Sequence, residues 1–507
     1  MIECIPNIVL ITIDCLRADF LNNYLSLLTP RGYKKNMLHF RRCIAAGSYT
    51  WASIPSILSS QYPSVHVFGK NKSILTIADA LRNIGFETIA LVASEGIEFL
   101  VRHYVTKFDD VITPKNMKSN FNTTKANRKM LDTLCSILHH ITRVSKENEL
   151  TFEVVGRALY RALYAFGIEL VTPYVTAEQA ISAATTVLRN NRKPKFLWIH
   201  LVDLHAPYTR QSIRETGILD YIFTMFKLAL NDYKNSKRTI KRIEALLSEL
   251  ENSKDLRNTL IRIYENSLAS LLKILRAFID EVMSSNQDKW YIIITADHGE
   301  EFFEHKAFEH LGIISHYGFI PHLYNELLHV PLLIVGPNIK GNHLLECQCT
   351  HYDIMPTILD LILNSAKTYY LRNTIEKIVL YTSKSSNTNA TSVIYVENDD
   401  IAPAFKARKY IVAESEALIK SITGMEGYGL SIAIILNDRW KYIFNPLIGI
   451  EVFDLKNDPY ERRNVVDIID NTLKRKMINI HLQHVKRIPR LRIMNKVRYM
   501  SMKLHVQ

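Results

Sequence analysis

The chain has few cysteines for its length. Its 507 residues contain six, at positions 4, 15, 43, 135, 347 and 349. Six irregularly spaced thiols are too few for a disulfide framework, and the single residue between Cys347 and Cys349 is not a zinc-ribbon spacing. We therefore expect free thiols in a reducing compartment.

Long uncharged hydrophobic runs are also lacking, although 47% of the residues are hydrophobic and can bury a large core. No window reaches the roughly 18 uncharged apolar residues that a membrane-spanning helix requires. The first apolar run follows Pro6, has no basic segment before it and ends on Asp14, unlike a secretory signal peptide. These absences predict a cytoplasmic protein.

Acidic residues are missing from the C-terminal end. Between Asn471 and Gln507 the chain has ten Lys or Arg and no Asp or Glu, so the remaining residues carry only about +3 of the net charge of +13. Interleaved apolar residues predict a basic helical tail over 467–507, interrupted at Pro489. The tail either docks on the body with a solvated basic face, or contacts anionic lipid, nucleic acid or an acidic partner.

Three apolar runs each end on an aspartate. Asp14 follows 7–13, Asp203 follows 196–202, and Asp297 with His298 follows 290–295. Runs that are apolar on both faces are typical of strands buried in a parallel sheet, whose carboxyl ends meet at the edge where α/β proteins bind ligands. One such aspartate can simply cap a helix. Three together bring negative charges close to one another, which predicts a compensating metal ion.

The other patterns along the chain predict an α/β fold with a large, mostly parallel sheet flanked by helices. Residues 87–94 and 330–337 read as further strands of this sheet. The large domain is predicted to cover 1–366, with helical insertions near 115–172 and 212–284.

Other local signals complete this outline. A loop and a helix are expected over 33–70, and Thr176 with Gln179 forms a capping-box pattern. Short β-like segments over 367–466 predict a smaller, mostly antiparallel C-terminal subdomain.

Several stretches together resemble the sulfatase family of the alkaline phosphatase superfamily. They occur in family order between residue 6 and about residue 466, and the resemblance implies the fold of that superfamily. The stretches are NIVLITIDCLRADF, TWASIPSILSSQYPSVH, FLWIHLVDLHAPY, ITADHGEEFFEH, HLYNELLHVPLLIVGP, YDIMPTILDL and WKYIFNPLIGIEVFDLKNDPYERRNV.

The resemblance implies a nucleophile in the second stretch. In the family this residue lies thirteen positions before the proline of a Tyr-Pro pair, and counting back from Pro63 gives Thr50. Threonine stands where sulfatases have Cys or Ser, and Ile54 stands where they have Arg. Threonine cannot be oxidised to formylglycine, so the chain is expected to favour phosphodiesters or phosphomonoesters over sulfate esters, with Thr50 attacking directly.

The family's metal ligands map onto Asp14, Thr50, Asp297 and His298, a set that favours Mn²⁺ or Zn²⁺, with Mg²⁺ or Ca²⁺ as alternatives. Sulfatases often have two aspartates where this chain has Asp14-Cys15, which argues against a calcium-dedicated site. A single ion is favoured, and a second ion would use Asp203 with His310 and His316, or Asp203 with His205. In the one-metal interpretation His205 and one of His310 or His316 contact the substrate or protonate the leaving oxygen.

Three functions remain open from the sequence. The favoured one is a metal-dependent hydrolase of small phosphate or sulfate esters that forms a covalent intermediate on Thr50. The alternatives are a transferase that passes the phospho group to an alcohol, and a non-catalytic binding protein that uses the basic tail. The sequence leaves the alcohol part of the substrate and the oligomeric state undetermined.

Overall fold

The computed structural model describes most of the chain, and the structural statements below concern that part. The described residues are 5–28, 36–66, 74–95, 102–117, 174–189, 193–206, 208–217, 254–284, 290–305, 310, 313–315, 318–320, 322–337, 339, 341–365, 394–397, 400–403, 410–420, 426–446 and 448–488.

Strands account for much of the described chain. Their bounds are β1 (Asn7–Ile13), β2 (Asn36–Ile44), β3 (Glu87–Val92), β4 (Asp110–Ile112), β5 (Lys195–Leu201), β6 (Trp290–Ala296), β7 (Ile313–Ser315), β8 (Gly318–Ile320), β9 (His329–Val335), β10 (Gly341–Thr350), β11 (Ile394–Glu397), β12 (Asp400–Pro403), β13 (Tyr410–Lys420), β14 (Glu426–Leu436), β15 (Trp440–Asn445) and β16 (Gly449–Asp454).

An eight-stranded sheet in the order β10-β2-β9-β6-β1-β5-β3-β4 forms the centre of the large domain. All neighbouring strands pair in parallel except those that flank β9, which runs antiparallel to both β6 and β2. Every residue of β1, β5 and β6 is buried. Their uninterrupted apolar runs supply side chains to both faces of the sheet. The predicted mostly parallel α/β sheet is confirmed.

Helices flank this sheet and connect its strands. They span Ala18–Leu28, Thr50–Ser59, Pro63–His66, Ile77–Arg82, Arg102–Val105, Pro114–Met117, Ala177–Leu188, Arg210–Thr216, Lys254–Ser284, Asn325–Leu328, Ile354–Ser365 and Asn471–Lys486, with a 3-10 helix at His351–Asp353. The predicted capping box forms, since the Thr176 hydroxyl accepts from the Gln179 amide and the Gln179 side chain accepts from the Thr176 amide.

The long helix Lys254–Ser284 illustrates why the helices pack as they do. Its apolar residues recur at three- and four-residue spacing, which places them on one face toward the core. Buried members of this stripe are Leu260, Ile263, Leu268, Leu271, Leu272, Leu275, Phe278 and Ile279. Of the two predicted insertions, 115–172 and 212–284, residues 118–172 and 218–253 lie outside the described residues.

A separate four-stranded antiparallel sheet, β13-β14-β15-β16, confirms the smaller C-terminal sheet. The Asn471–Lys486 helix packs against β14, with Met477, His481 and His484 buried. His481 Nδ1 lies 2.8 Å from Tyr442 Oη. The helix therefore docks on the body, while Arg475, Lys476, Lys486 and Arg487 stay exposed. Contact of this basic face with lipid, nucleic acid or a partner remains a prediction.

The small sheet also supports a loop of the large one. The Glu414 carboxylate on β13 accepts from the Ser64 amide at 2.8 Å and contacts His484 of the docked helix. The Glu414 amide donates to Ala46 O at 2.8 Å, and Ser415 Oγ lies 2.6 Å from Ser48 Oγ. Strand β13 thus links the C-terminal helix to the segment that begins at Ala46.

One local prediction was wrong. The loop expected at the start of 33–70 is largely strand β2, which pairs with β9 and with β10. Strand β2 carries polar residues, such as Arg41 and Arg42, so it lacks the apolar run that identifies β1. The proposed domain limits remain predictions. No helix in the described part of the chain is long and apolar enough to cross a membrane.

Candidate metal centre and nucleophile

Four of the predicted site residues meet at the carboxyl edge of the main sheet. Asp14 follows β1, while Asp297 and His298 follow the adjacent strand β6. Thr50 is the first residue of the Thr50–Ser59 helix. Asp14, Asp297 and His298 have no solvent-exposed surface, and Thr50 is 6% exposed. Adjacent parallel strands thus bring residues 283 positions apart into one buried cluster.

His298 Nε2 lies at the middle of this cluster. It is 3.3 Å from Asp14 Oδ1, 3.5 Å from Asp297 Oδ2 and 3.3 Å from Thr50 Oγ1. His298 Nδ1 lies 2.8 Å from Gly299 O, an acceptor, so Nδ1 carries the ring proton of the neutral imidazole. The lone pair of Nε2 therefore faces two carboxylate oxygens and a hydroxyl.

This arrangement fits a cation. Asp14 Oδ2 and Asp297 Oδ2 are buried and have no hydrogen-bond partner among the described residues. No lysine or arginine in the described ranges pairs with either carboxylate. Burying two such charges without compensation is costly. The separations of 3.3 to 3.5 Å agree with two donors bound about 2.0–2.2 Å from one tetrahedral ion, which lie roughly 3.3–3.6 Å apart.

Two glycines allow the backbone to approach this closely. A Cβ atom at Gly299 would lie 1.9 Å from Glu326 O, so no side chain fits beside His298. A Cβ atom at Gly47 would lie 2.5 Å from Ala52 Cβ and 2.6 Å from Glu414 O. Gly47 therefore lets the turn before Thr50 pack on strand β13.

Among the serine and threonine hydroxyls of residues 48–60, that of Thr50 faces the ionisable cluster. The hydroxyls of Ser53, Ser56, Ser59 and Ser60 donate to backbone carbonyls at 2.9, 3.1, 2.7 and 2.8 Å respectively. Ser48 Oγ lies 2.6 Å from Ser415 Oγ. These bonds hold the helix and its preceding turn. The helix N-terminus also directs its partial positive charge toward the cluster.

Two further histidines lie beside the centre. The ring centroid of His310 is 4.6 Å from that of His298 and 5.0 Å from that of His205. His310 Nδ1 is 3.8 Å from Glu300 Oε1 and 3.8 Å from Cys15 Sγ. The structure thus places predicted residues His205 and His310 next to the buried cluster.

The other predicted ligands of a second ion do not join this group. Asp203 Oδ1 accepts from the Ala177 amide at 3.0 Å, at the start of the Ala177–Leu188 helix. Burial raises the pKa of Asp203 to about 6. His316 lies outside the described residues. Two other histidines of this region lie beside carboxylates, His305 Nε2 3.1 Å from Glu326 Oε2 and His322 Nε2 2.8 Å from Glu301 Oε2.

His200 lies beside Asp14, a proximity that the sequence did not reveal. It is buried inside β5. Trp198 Nε1 donates to Thr12 Oγ1 at 2.9 Å, and Thr12 Oγ1 lies 2.8 Å from His200 Nδ1. His200 Nε2 faces Asp14 Oδ2 at 3.9 Å, and burial lowers the pKa of His200. These contacts place the His200 ring beside the Asp14 carboxylate, at a distance too long for a direct hydrogen bond.

Cys15 is the second residue whose position was not anticipated. Its Sγ donates to Asp14 Oδ1 at 3.2 Å, and the residue is fully buried. Burial raises the pKa of its thiol well above the usual value, and the carboxylates of Asp14, Glu300 and Asp297 raise it further. Two groups have potential ligand atoms mutually within 4.8 Å: Cys15, His298 and His310, and Asp14, His200 and Asp297.

The fold and these residues agree with comparisons to known proteins. The family model described as Sulfatase matches residues 6–365, well over half of the chain. The chain belongs to the sulfatase family. Its fold is that of sulfatases and related enzymes of the alkaline phosphatase superfamily. Members of this family are metal-dependent, in agreement with the buried ligand clusters.

Individual relatives are distant. Arylsulfatase K of Gallus gallus is 27% identical over 198 residues, covering 37% of this chain and 31% of that protein. Arylsulfatase K of Xenopus laevis is 23% identical over 303 residues, covering 55% and 49%. The chain thus matches between about a third and a half of their length. A phosphonate monoester hydrolase from Silicibacter pomeroyi superimposes with a TM-score of 0.54 at 16% identity, covering 95% of both chains.

Proposed function

We propose that the chain is a metal-dependent hydrolase of phosphate or sulfate esters, with phosphodiesters and phosphomonoesters favoured, and that Thr50 is its nucleophile. The observation that carries the proposal is the 3.3 Å separation of Thr50 Oγ1 from His298 Nε2, beside Asp14 and Asp297. The other hydroxyls near Thr50 already serve the backbone or β13.

A divalent cation held by Asp14, Thr50, Asp297 and His298 would lower the pKa of the Thr50 hydroxyl and offset charge on the ester oxygens. Thr50 Oγ1 then forms a bond to phosphorus as the bond to the leaving oxygen breaks. His205 or His310 donates a proton to that oxygen. Water subsequently cleaves the Thr50 ester and regenerates the hydroxyl.

The preference for phosphorus follows from two side chains. Thr50 cannot be oxidised to formylglycine, whose aldehyde hydrate is the nucleophile that the resemblance attributes to sulfatases. Ile54, at the position of the family arginine, is fully buried and apolar, so it contributes no charge to the centre. A direct attack by a secondary hydroxyl suits a phosphoryl group, whose transition state is stabilised mainly by positioning and electrostatics.

A substrate panel tests this proposal. The full-length protein is assayed with nitrophenyl phosphodiester, phosphomonoester and sulfate substrates, each with Zn²⁺, Mn²⁺, Mg²⁺ and Ca²⁺. Turnover of a phosphorus ester, together with a phosphorylated Thr50 peptide trapped by acid quenching, is the expected result. Turnover of the sulfate ester alone, or a covalent label on another residue, would overturn the assignment.

A further inference from the structure

We propose that Cys15 contributes a thiolate to the cation centre and that its sulfur selects a thiophilic ion of the zinc class over Ca²⁺ and Mg²⁺. The inference deepens the proposed function by naming the class of ion, and it rests on the cation centre that this function requires. Its evidence is the position of the Cys15 sulfur among potential ligand atoms.

The first observation is geometric. Cys15 Sγ lies 3.2 Å from Asp14 Oδ1 and 3.8 Å from His310 Nδ1, and the Cys15, His298 and His310 donor atoms lie mutually within 4.8 Å. A Zn–S bond is about 2.3 Å and a Zn–N bond about 2.0–2.1 Å, so donors on one tetrahedral ion are roughly 3.3–3.6 Å apart. The Cys15 Sγ–His310 Nδ1 separation of 3.8 Å lies close to this range.

The second observation is that His298 has one nitrogen to offer. Its Nδ1 is engaged by Gly299 O at 2.8 Å, and its Nε2 lies 3.3 Å from Asp14 Oδ1 and 3.5 Å from Asp297 Oδ2. The Cys15 sulfur and the Asp14 and Asp297 oxygens therefore converge on a shared donor. Asp297 Oδ2 is buried, lies 3.5 Å from His298 Nε2 and has no hydrogen-bond partner among the described residues.

The third observation is backbone strain. Cys15 has φ 64°, in the left-handed region that asparagine and aspartate adopt more readily than other side chains. A buried tyrosine holds it there, since Tyr264 Oη donates to Cys15 O at 2.8 Å and accepts from the Arg17 amide at 3.0 Å. Strain that the surroundings maintain is typical of functional sites. Conformational preference therefore does not account for cysteine at this position.

The chemistry of the donors decides the class of ion. A thiolate and imidazoles favour zinc-like ions, whereas carboxylate, carbonyl and water oxygens favour Mg²⁺ and Ca²⁺. On binding, the Cys15 S–H bond breaks, the sulfur keeps the electron pair for the metal, and the proton leaves to the buffer. No oxidant or reductant is required.

The experiment uses the full-length protein stripped of metal and loaded with Co²⁺ or Cd²⁺ without oxygen. The expected result is a sulfur-to-metal charge-transfer band in the ultraviolet that is lost in Cys15→Ser and kept in Cys43→Ser, a matched buried thiol on β2. X-ray absorption of the zinc form should show one sulfur at about 2.3 Å. Absence of the band from the unsubstituted protein, or its survival in Cys15→Ser, would overturn the inference.

A second variant keeps the test decisive if Cys15→Ser does not fold. Cys15→Asp restores an oxygen donor and should shift the Zn²⁺ over Ca²⁺ preference toward Ca²⁺ by at least roughly tenfold in a competition titration. An unchanged preference contradicts the role of the thiolate. Turnover of a phosphorus ester without the band would refute the inference and leave the function intact. The band without turnover of any ester would support the inference and refute the proposed function.

Discussion

Replacing Thr50 by alanine should separate catalysis from folding. The substitution removes a hydroxyl and a methyl group from a residue that is 6% exposed and whose hydroxyl faces the metal centre. Loss of one hydrogen bond and one buried methyl group costs about 1–2 kcal/mol. For a chain of this size, that lowers the Tm by only a few degrees.

The expected loss of turnover is much larger. The serine hydroxyls of 48–60 bond backbone carbonyls or Ser415, so water has to replace the nucleophile. Removing a catalytic nucleophile lowers kcat by on the order of 10⁴-fold or more, equivalent to about 5.5 kcal/mol of transition-state stabilisation. Thr50→Ser keeps a hydroxyl at the same place and should retain measurable turnover.

The assay compares kcat on a nitrophenyl phosphodiester with the Tm from a thermal scan. Ser56→Ala is the matched control, because Ser56 lies on the same helix and its buried hydroxyl donates to Ala52 O at 3.1 Å. This variant should lose a similar amount of stability and keep its activity. Wild-type turnover by Thr50→Ala would refute the reasoning, as would equal loss of activity in both variants.

Four other changes give distinct outcomes. Chelation of divalent ions should abolish turnover and Zn²⁺ or Mn²⁺ should restore it, so indifference to chelators would contradict the metal centre. Gly299→Ala should destabilise the protein by about 2–3 kcal/mol in urea unfolding, since its Cβ meets Glu326 O at 1.9 Å, and an unaltered midpoint would disprove the clash. The ion pair with His305 lowers the pKa of Glu326 to about 2 and raises the pKa of His305. The pair therefore stabilises the folded state fully between pH 4.5 and pH 6.5, and less on either side of that window. Glu326→Gln should therefore cost up to roughly 3 kcal/mol near pH 5.5 and less at pH 3 or 9, whereas a constant difference in unfolding free energy would exclude this linkage. His484→Ala removes the contact with buried Glu414 and should lower the Tm and slow turnover together, and a lower Tm with normal kcat would show that the contact serves stability alone.

The sequence predicted the elements that are buried on both sides. Strands β1, β5 and β6 begin and end within one residue of their apolar runs, because these runs are largely apolar and have few polar residues. It failed at β2 and β10. Strand β10 forms an edge of the sheet and carries polar residues, and β2 pairs with it. In such strands the pattern of buried residues depends on partners far away in the sequence.

The candidate site was predictable to the extent that local spacing defines it. Asp14 and Asp297 follow recognisable strands, and Thr50 was located from Pro63. The contact of His200 with Asp14 joins positions 186 residues apart and has no local signal. Cys15 was interpreted only as the loss of a hard ligand. Its sulfur is brought toward His310, 295 residues away, by the loop that follows β6.

The contacts of β13 have a consequence for the order in which the protein is made. The family match ends at residue 365, and by then a ribosome has synthesised every residue proposed to bind the ion. Ser415, which fixes the turn at Ser48, and His484, which meets Glu414, come later. A nascent chain therefore carries the reactive groups before it carries their support.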